Sequence, residues 1–181
     1  AVTVLGIYFK LQSFIFMPIF GLNNGMIPII AYNYGSRSKK RIMDTAKLSI
    51  AIAIGIMLLG LVIFQVFTPQ LLMLFNASDS LLEIGIPALR TISLSFLFAG
   101  YCIIVGSVFQ ALGNGVYSLI ISVARQLVCI LPLAWFFART FGLHAVWLSL
   151  PLAEITSVVL SSILFRKIYL DKIKPLGQPA A

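Results

Sequence analysis

Charge is the scarcest commodity in this chain: five acids and 13 bases make up 10% of its 181 residues, where a soluble domain carries about 25%. A chain so poor in charge, with 60% hydrophobic residues and a mean hydropathy of +1.05, has too little polar surface for water and belongs in a bilayer. Histidine occurs once, at His144, and cysteine twice, at Cys102 and Cys129, both inside apolar runs. That excludes a zinc site and a disulfide framework, each of which needs clustered ligands or paired thiols; a buried free cysteine behaves as a small hydrophobe. No acid cluster and no glycine-rich phosphate loop after a strand is present, and Gly113-Asn114-Gly115 reads as a turn between helices, so there is no enzyme constellation. His144 suits capping or an interface. No cleavable signal opens the chain, for Ala1 leads straight into an apolar run, which reads as a cut.

What the chain does have is long apolar runs. A membrane-spanning helix needs roughly 20 mostly apolar residues, and five stretches qualify: 2–32, 46–67, 82–112, 117–137 and 144–165, called A to E. A and C are longer than the minimum, which predicts tilt, a kink or extension beyond the hydrocarbon. Residues 1–168 then form the helix bundle and 169–181 a tail. Basic residues fix the orientation. The A–B loop carries Arg37, Lys39, Lys40, Arg41 and Lys47, and the region after E carries Arg166, Lys167, Lys172 and Lys174, whereas the opposite loops hold only Arg139. Five crossings place both basic clusters on one side, and the positive-inside rule makes that side cytoplasmic. Bases on so apolar a chain mark loops, so nucleic acid is not a partner. Asn76-Ala77-Ser78, in an outer loop, matches a glycosylation pattern but reads as a polar turn.

Four of the five runs carry stripes at helical spacing: Phe14, Pro18, Gly21, Gly25, Pro28 and Tyr32 on A; Ser93, Gly100 and Ser107 on C; Ser118, Ser122, Arg125, Cys129 and Pro132 on D; Trp147, Pro151, Glu154, Ser157 and Ser161 on E. Small and polar residues on one face predict contact with other helices. B is apolar all round and is expected to face lipid. Pro18 and Pro28 each remove a backbone donor, predicting a kinked A. Such breaks in transporters mark moving or binding segments, although Gly and Pro are also commoner in membrane helices generally. Gly21 and Gly25 match the close-packing GxxxG pattern.

A charge at the centre of a membrane helix costs about 2.5–3.5 kcal/mol on insertion scales. Lys10 and Arg90 lie toward helix ends, where long stems snorkel, and Gln12 beside Lys10 leaves a cavity role open. Arg125 and Glu154 both fall near the midplane, counting 1.5 Å per residue from the ends of D and E, where antiparallel neighbours bring them within reach. Glu154 then either couples a cation or proton or fixes D against E; a carboxylate held by arginine favours the second.

The run P-x-x-G-L-N-N-G-x-x-P-I-I-A-Y-N-Y-G-S, then LFNASDSL, FQALGN, ARQLVCILPL and GLHAVWLSLPLAE, in that order, resembles the C-terminal half of MATE (multidrug and toxic compound extrusion) transporters, the bacterial multidrug pump branch above all. The resemblance implies an all-α integral membrane protein: a five-helix bundle, part of a six-helix lobe of a twelve-helix, two-lobe transporter, in which A to E look like the eighth to twelfth helices. It implies a bacterial inner-membrane protein with the A–B loop and tail cytoplasmic, no cofactor, coupling to Na⁺ or H⁺, and export of bulky cationic drugs against membrane lipid and an N-terminal lobe as partners. Two departures limit the transfer. One branch places a carboxylate near the position of Tyr101, yet no acid lies between Glu83 and Glu154; the coupling carboxylate of other members sits in the first helix, outside this chain. What the chain offers is a wall of the drug cavity, with Asn24, Tyr32, Tyr101 and Gln110 as candidates. The alternatives are a lipid-linked sugar flippase of the same superfamily, which would need more cavity cations to meet a pyrophosphate, and a non-transporting truncated subunit.

Overall fold

The computed structural model describes residues 2–76 and 78–177, and every regular element among them is helical. Run A is one α-helix, α1 (Val2–Gly35), and B is α2 (Lys39–Val66), followed by a short α3 (Thr68–Met73). Run C is two helices, α4 (Asp79–Ser93) and α5 (Phe96–Ala111). Run D is α6 (Gly115–Val123), a π-helical stretch (Ala124–Ile130) and α7 (Leu131–Thr140). Run E is α8 (Leu143–Val146) and α9 (Ser149–Ile168), which continues through π-helical (Tyr169–Ile173) and 3₁₀ (Lys174–Gly177) turns. Three stretches are long and apolar enough to cross a membrane, Thr3–Gly35, Lys39–Val66 and Leu143–Leu176, with α4 and α5 as a fourth if the pair is one span. The expected five are not all single helices, because C bends into two and D is divided.

The interruptions fall where the prolines of A do not. With Pro18 and Pro28 inside it, α1 still runs unbroken for 34 residues, so the kink expected there is not a break. Instead α4 and α5 meet at 47°. Two serine hydroxyls drive that bend by competing for backbone: Ser93 Oγ donates to Arg90 O at 2.9 Å and Ser95 Oγ to Ile92 O at 2.7 Å. Three-residue bonds from the Leu94 and Ser95 amides replace the α pattern. Gln65 of α2 then closes the open end, its Nε2 donating to Arg90 O at 2.7 Å and Ser93 Oγ at 2.9 Å. In D the irregular stretch precedes Pro132, which cannot donate to the preceding turn and crowds its carbonyl; π turns absorb such a mismatch.

On B one apolar face is open, through Leu48, Leu58, Leu59 and Val62, and the packing adds a second, buried face that composition does not reveal. Ile42, Ala46, Ser49, Ala53, Met57, Gly60 and Phe64 form a buried stripe along α2, which packs against both α1 and α5. Glycine is required at two crossings: a Cβ on Gly60 would lie 2.6 Å from Ile15 Cγ2, and one on Gly100 would lie 2.7 Å from Met57 Cγ. Phe96, first residue after the bend, is ringed by Phe64, Phe16 and Tyr8 at 5.0, 5.7 and 6.5 Å between centroids. In lipid this packing, rather than the exclusion of water, holds the helices together.

The stripe on A meets no other helix among the described residues of this chain. Phe14, Pro18, Gly21, Gly25, Pro28 and Tyr32 are all exposed, and a Cβ at Gly21 or Gly25 would meet nothing within 4 Å. The opposite face, through Val4, Leu11, Ile19, Met26 and Ile30, is the one that packs. The stripes on C and E behave as expected: Ser93, Gly100 and Ser107, and Trp147, Pro151, Glu154, Ser157 and Ser161, are buried. The stretch expected as a tail is docked: Lys172 Nζ donates to Leu112 O at 2.9 Å and lies 5.8 Å from the Tyr34 ring centre, and Ile173 is fully buried.

Candidate functional site

The bend in C and the irregular stretch in D leave space between them and α1. One cavity of about 360 Å³ is lined by Asn23, Asn24, Ser107, Gln110, Ser122 and Arg125 together with apolar side chains from α1, α5 and α6. A second, of about 500 Å³, is lined by Tyr8, Gln12, Trp147, Arg125 and Glu154 among mainly apolar and aromatic residues. Arg125, Phe20 and Ile103 line both. Volumes of this size suit drug-sized guests, and the mix of apolar wall with a few polar groups is the usual make-up of such sites.

Arg125 belongs to the π-helical stretch, whose altered pitch carries it toward α9. Its Nη1 donates to Glu154 Oε1 at 3.0 Å. The pair is single-bonded: Glu154 Oε2 and Arg125 Nε are buried and bond to nothing among the described residues. The same holds for Asn23 Oδ1 and Trp147 Nε1, and all four atoms belong to residues lining one or both cavities. A buried polar atom left without a bond costs about 1–3 kcal/mol, so the polar bonding around these cavities is incomplete among the described residues.

Of the four residues expected to line a cavity, Asn24 and Gln110 line the smaller one. Tyr32 and Tyr101 line neither. Tyr32 is 73% exposed on the outward face of α1, and the Tyr101 hydroxyl is 2.9 Å from Ser162 Oγ on α9. Pro18, Gly21, Gly25 and Pro28 lie on the exposed face of α1 and line neither cavity. Lys10, 5.8 Å from the Phe75 ring centre, and Arg90 are exposed and also line neither. Asn23, Trp147 and Ser107 are cavity residues that sequence reasoning did not select; Asn23 shares its dipeptide with Asn24, and only the rotation of α1 tells them apart. The Cys129 side chain of the D stripe lies outside the described residues. Among the described residues no three His, Cys, Asp or Glu side chains gather to hold a metal.

Long apolar helices, with runs C, D and E interrupted beside cavities that share the arginine of a charge pair, are an arrangement found in membrane transporters. Residues 1–136 match the MatE family model, and the chain belongs to that family. The multidrug export protein MepA of Staphylococcus haemolyticus (strain JCSC1435) is 30% identical over 154 residues, 85% of this chain and 34% of the relative. MepA of Staphylococcus saprophyticus is 28% identical over 173 residues, 96% of this chain and 38% of the relative. Among solved structures, the inward-facing conformation of a multidrug resistance MATE family transporter superposes with a TM-score of 0.88 at 24% identity, covering 99% of this chain and 41% of that one. A MATE multidrug transporter, DinF-BH, in complex with R6G superposes at 0.82 with 29% identity, covering 94% and 38%. The chain thus spans about a third of the length of the first curated relative, and its fold is that of a lobe of a two-lobe, multi-pass membrane transporter.

Proposed function

We propose that this chain supplies one wall of the drug path in a cation-coupled multidrug efflux antiporter, driven by Na⁺ or H⁺, that moves bulky cationic compounds out of the cell by alternating access of two lobes. The observation that carries the reading is the pair of cavities, about 360 and 500 Å³, whose lining combines apolar and aromatic side chains with a few polar residues, Asn23, Asn24, Gln110, Arg125 and Glu154 among them. Aromatic side chains of Tyr8, Phe9, Phe16 and Trp147 line the larger one and suit flat or cationic guests. The relatives' names as multidrug export proteins support the substrate class. The exposed face of α1, with Phe14, Met17 and Tyr32 61–73% exposed, is a surface for an N-terminal lobe to cover. The basic A–B loop and the Lys172 end face the cytoplasm in this reading.

The flippase alternative is weaker: Arg125 is already paired with Glu154, and neither Lys10 nor Arg90 lines a cavity, leaving no unpaired cation there among the described residues to meet a pyrophosphate. The test is dye accumulation in cells carrying the full-length protein, first with a Na⁺ gradient and then with a pH gradient. Lower accumulation under one of them is expected; flat accumulation under both would sink the antiporter.

A further inference from the structure

A third cavity, of about 710 Å³, lies where α1 turns into α2 and shares no lining residue with the other two. Its charged lining is lopsided: Arg37, Lys39, Lys40 and Lys47 face a single carboxylate, Asp44. Among the described residues the Arg125–Glu154 contact is the only ion pair, so none of these four cations is spoken for by an acid. Lys39 Nζ lies 5.2 Å from the centre of the Tyr169 ring, which forms the opposite wall with Leu176. The N-terminus of the 28-residue α2 opens here with Ser38 as its cap residue, yet the Ser38 side chain makes no capping bond. Orphan amides and the positive end of the helix dipole therefore add to the cationic side chains.

The backbone shows how Arg37 comes to this place. The Ser38 amide donates to Asn33 O at 2.9 Å and the Arg37 amide to Tyr34 O at 3.2 Å, the two bonds of a Schellman turn, whose left-handed residue is usually glycine. Here that residue is Arg37, at φ 56°, a conformation a side chain disfavours. Arginine occupies a position where glycine would fold more easily, and the residue lines the cavity.

We propose that this cavity binds a phosphate group, supplied by the headgroup of an anionic membrane lipid. Arg37 meets the phosphate oxygens with its planar fork, Lys39, Lys40 and Lys47 add point charges, and Tyr169 and Leu176 face the glycerol and upper acyl region. The location favours lipid over a soluble phosphate: the cavity is at the end of two long apolar helices, where the headgroup layer begins, and basic pockets at such ends recognise anionic headgroups. The occupant ties the α1–α2 turn to the docked C-terminal segment, since one wall comes from each.

The test is binding of a fluorescent short-chain phosphatidylglycerol to the full-length protein in neutral maltoside micelles, read by anisotropy, with phosphatidylcholine of the same chain length as reference. Phosphatidylglycerol binding more tightly than phosphatidylcholine is expected, and Arg37→Gly and Lys40→Gln should each weaken it about fivefold, the effect of one basic residue at a membrane surface. Arg37→Gly relieves the backbone and so should melt no lower than the parent, which separates lost binding from lost folding. Arg166→Gln, on the exposed end of α9 outside the cavity, should change nothing. Equal binding of the two lipids, full binding by Arg37→Gly, or an equal loss in Arg166→Gln would overturn the site. Displacement of the lipid by millimolar inorganic phosphate would keep the site and overturn lipid as its source.

Discussion

Removing either partner of the Arg125–Glu154 pair should destabilise the lobe more than removing both. Breaking a fully buried pair by deleting one partner costs about 3–5 kcal/mol, because a charge is left uncompensated. This pair is joined by one 3.0 Å bond, and the Arg125 side chain is 26% exposed against 10% for Glu154. The exposed partner is the easier one to hydrate when left alone. Glu154→Gln, which strands Arg125 beside its cavities, should therefore cost about 2 kcal/mol, and Arg125→Gln, which strands the more buried carboxylate, about 3 kcal/mol. With both replaced by Gln no charge remains, and the loss should fall to about 1 kcal/mol. Thermal melting of the full-length protein in mild detergent, followed by loss of monodisperse protein, ranks the four: parent, then double variant, then Glu154→Gln, then Arg125→Gln. A double variant that loses as much as the two single variants together would refute the pair as a structural lock. A Glu154→Gln protein that melts like the parent yet exports nothing would refute it from the other side and move Glu154 into ion coupling.

Three further substitutions test the packing and the bend. Gly100→Val should lower stability by about 1–3 kcal/mol through overpacking, since a Cβ there already meets Met57 Cγ at 2.7 Å. Gly25→Ala should leave the melting temperature unchanged or raised, helix propensity favouring Ala by about 1 kcal/mol; a loss as large as that of Gly100→Val would contradict the exposed placement of Gly25. Gln65→Leu removes the donor to Arg90 O and Ser93 Oγ at the α4–α5 bend and should cost about 1–3 kcal/mol in the same melt. If Gln65→Leu is neutral, the bend does not depend on α2.

Much of this architecture can be read from the residues, and what cannot has physical causes. The apolar runs mark the helical hairpins, and depth counting along D and E puts Arg125 opposite Glu154. The stripes of C and E point inward because serine and glycine there have no use for lipid. On A the same logic marks a face that nothing among the described residues of this chain covers, because composition does not say which partner such a face meets. On B it misses the packed stripe because Ala46, Ala53 and Gly60 are apolar as well as small; a helix with one packed and one open apolar face has the same composition as one bathed in lipid. The bend in C is hidden because its cause is a pair of serine hydroxyls within an apolar run, with Pro87 well upstream. The π-helical stretch in D leaves only Pro132 as a sign. Both interruptions border the cavities, so the least legible backbone is what shapes the site.

The most direct test of the drug path is protection of a cavity position by a drug. In full-length protein with Cys102 and Cys129 replaced by Ala, a cysteine placed by Gln110→Cys stands on the wall of the smaller cavity, and one placed by Leu58→Cys stands on the exposed face of α2, outside both cavities. A bulky cationic dye should slow alkylation at position 110 several-fold and leave position 58 unchanged. Equal alkylation at position 110 with and without dye would contradict a drug path along this wall.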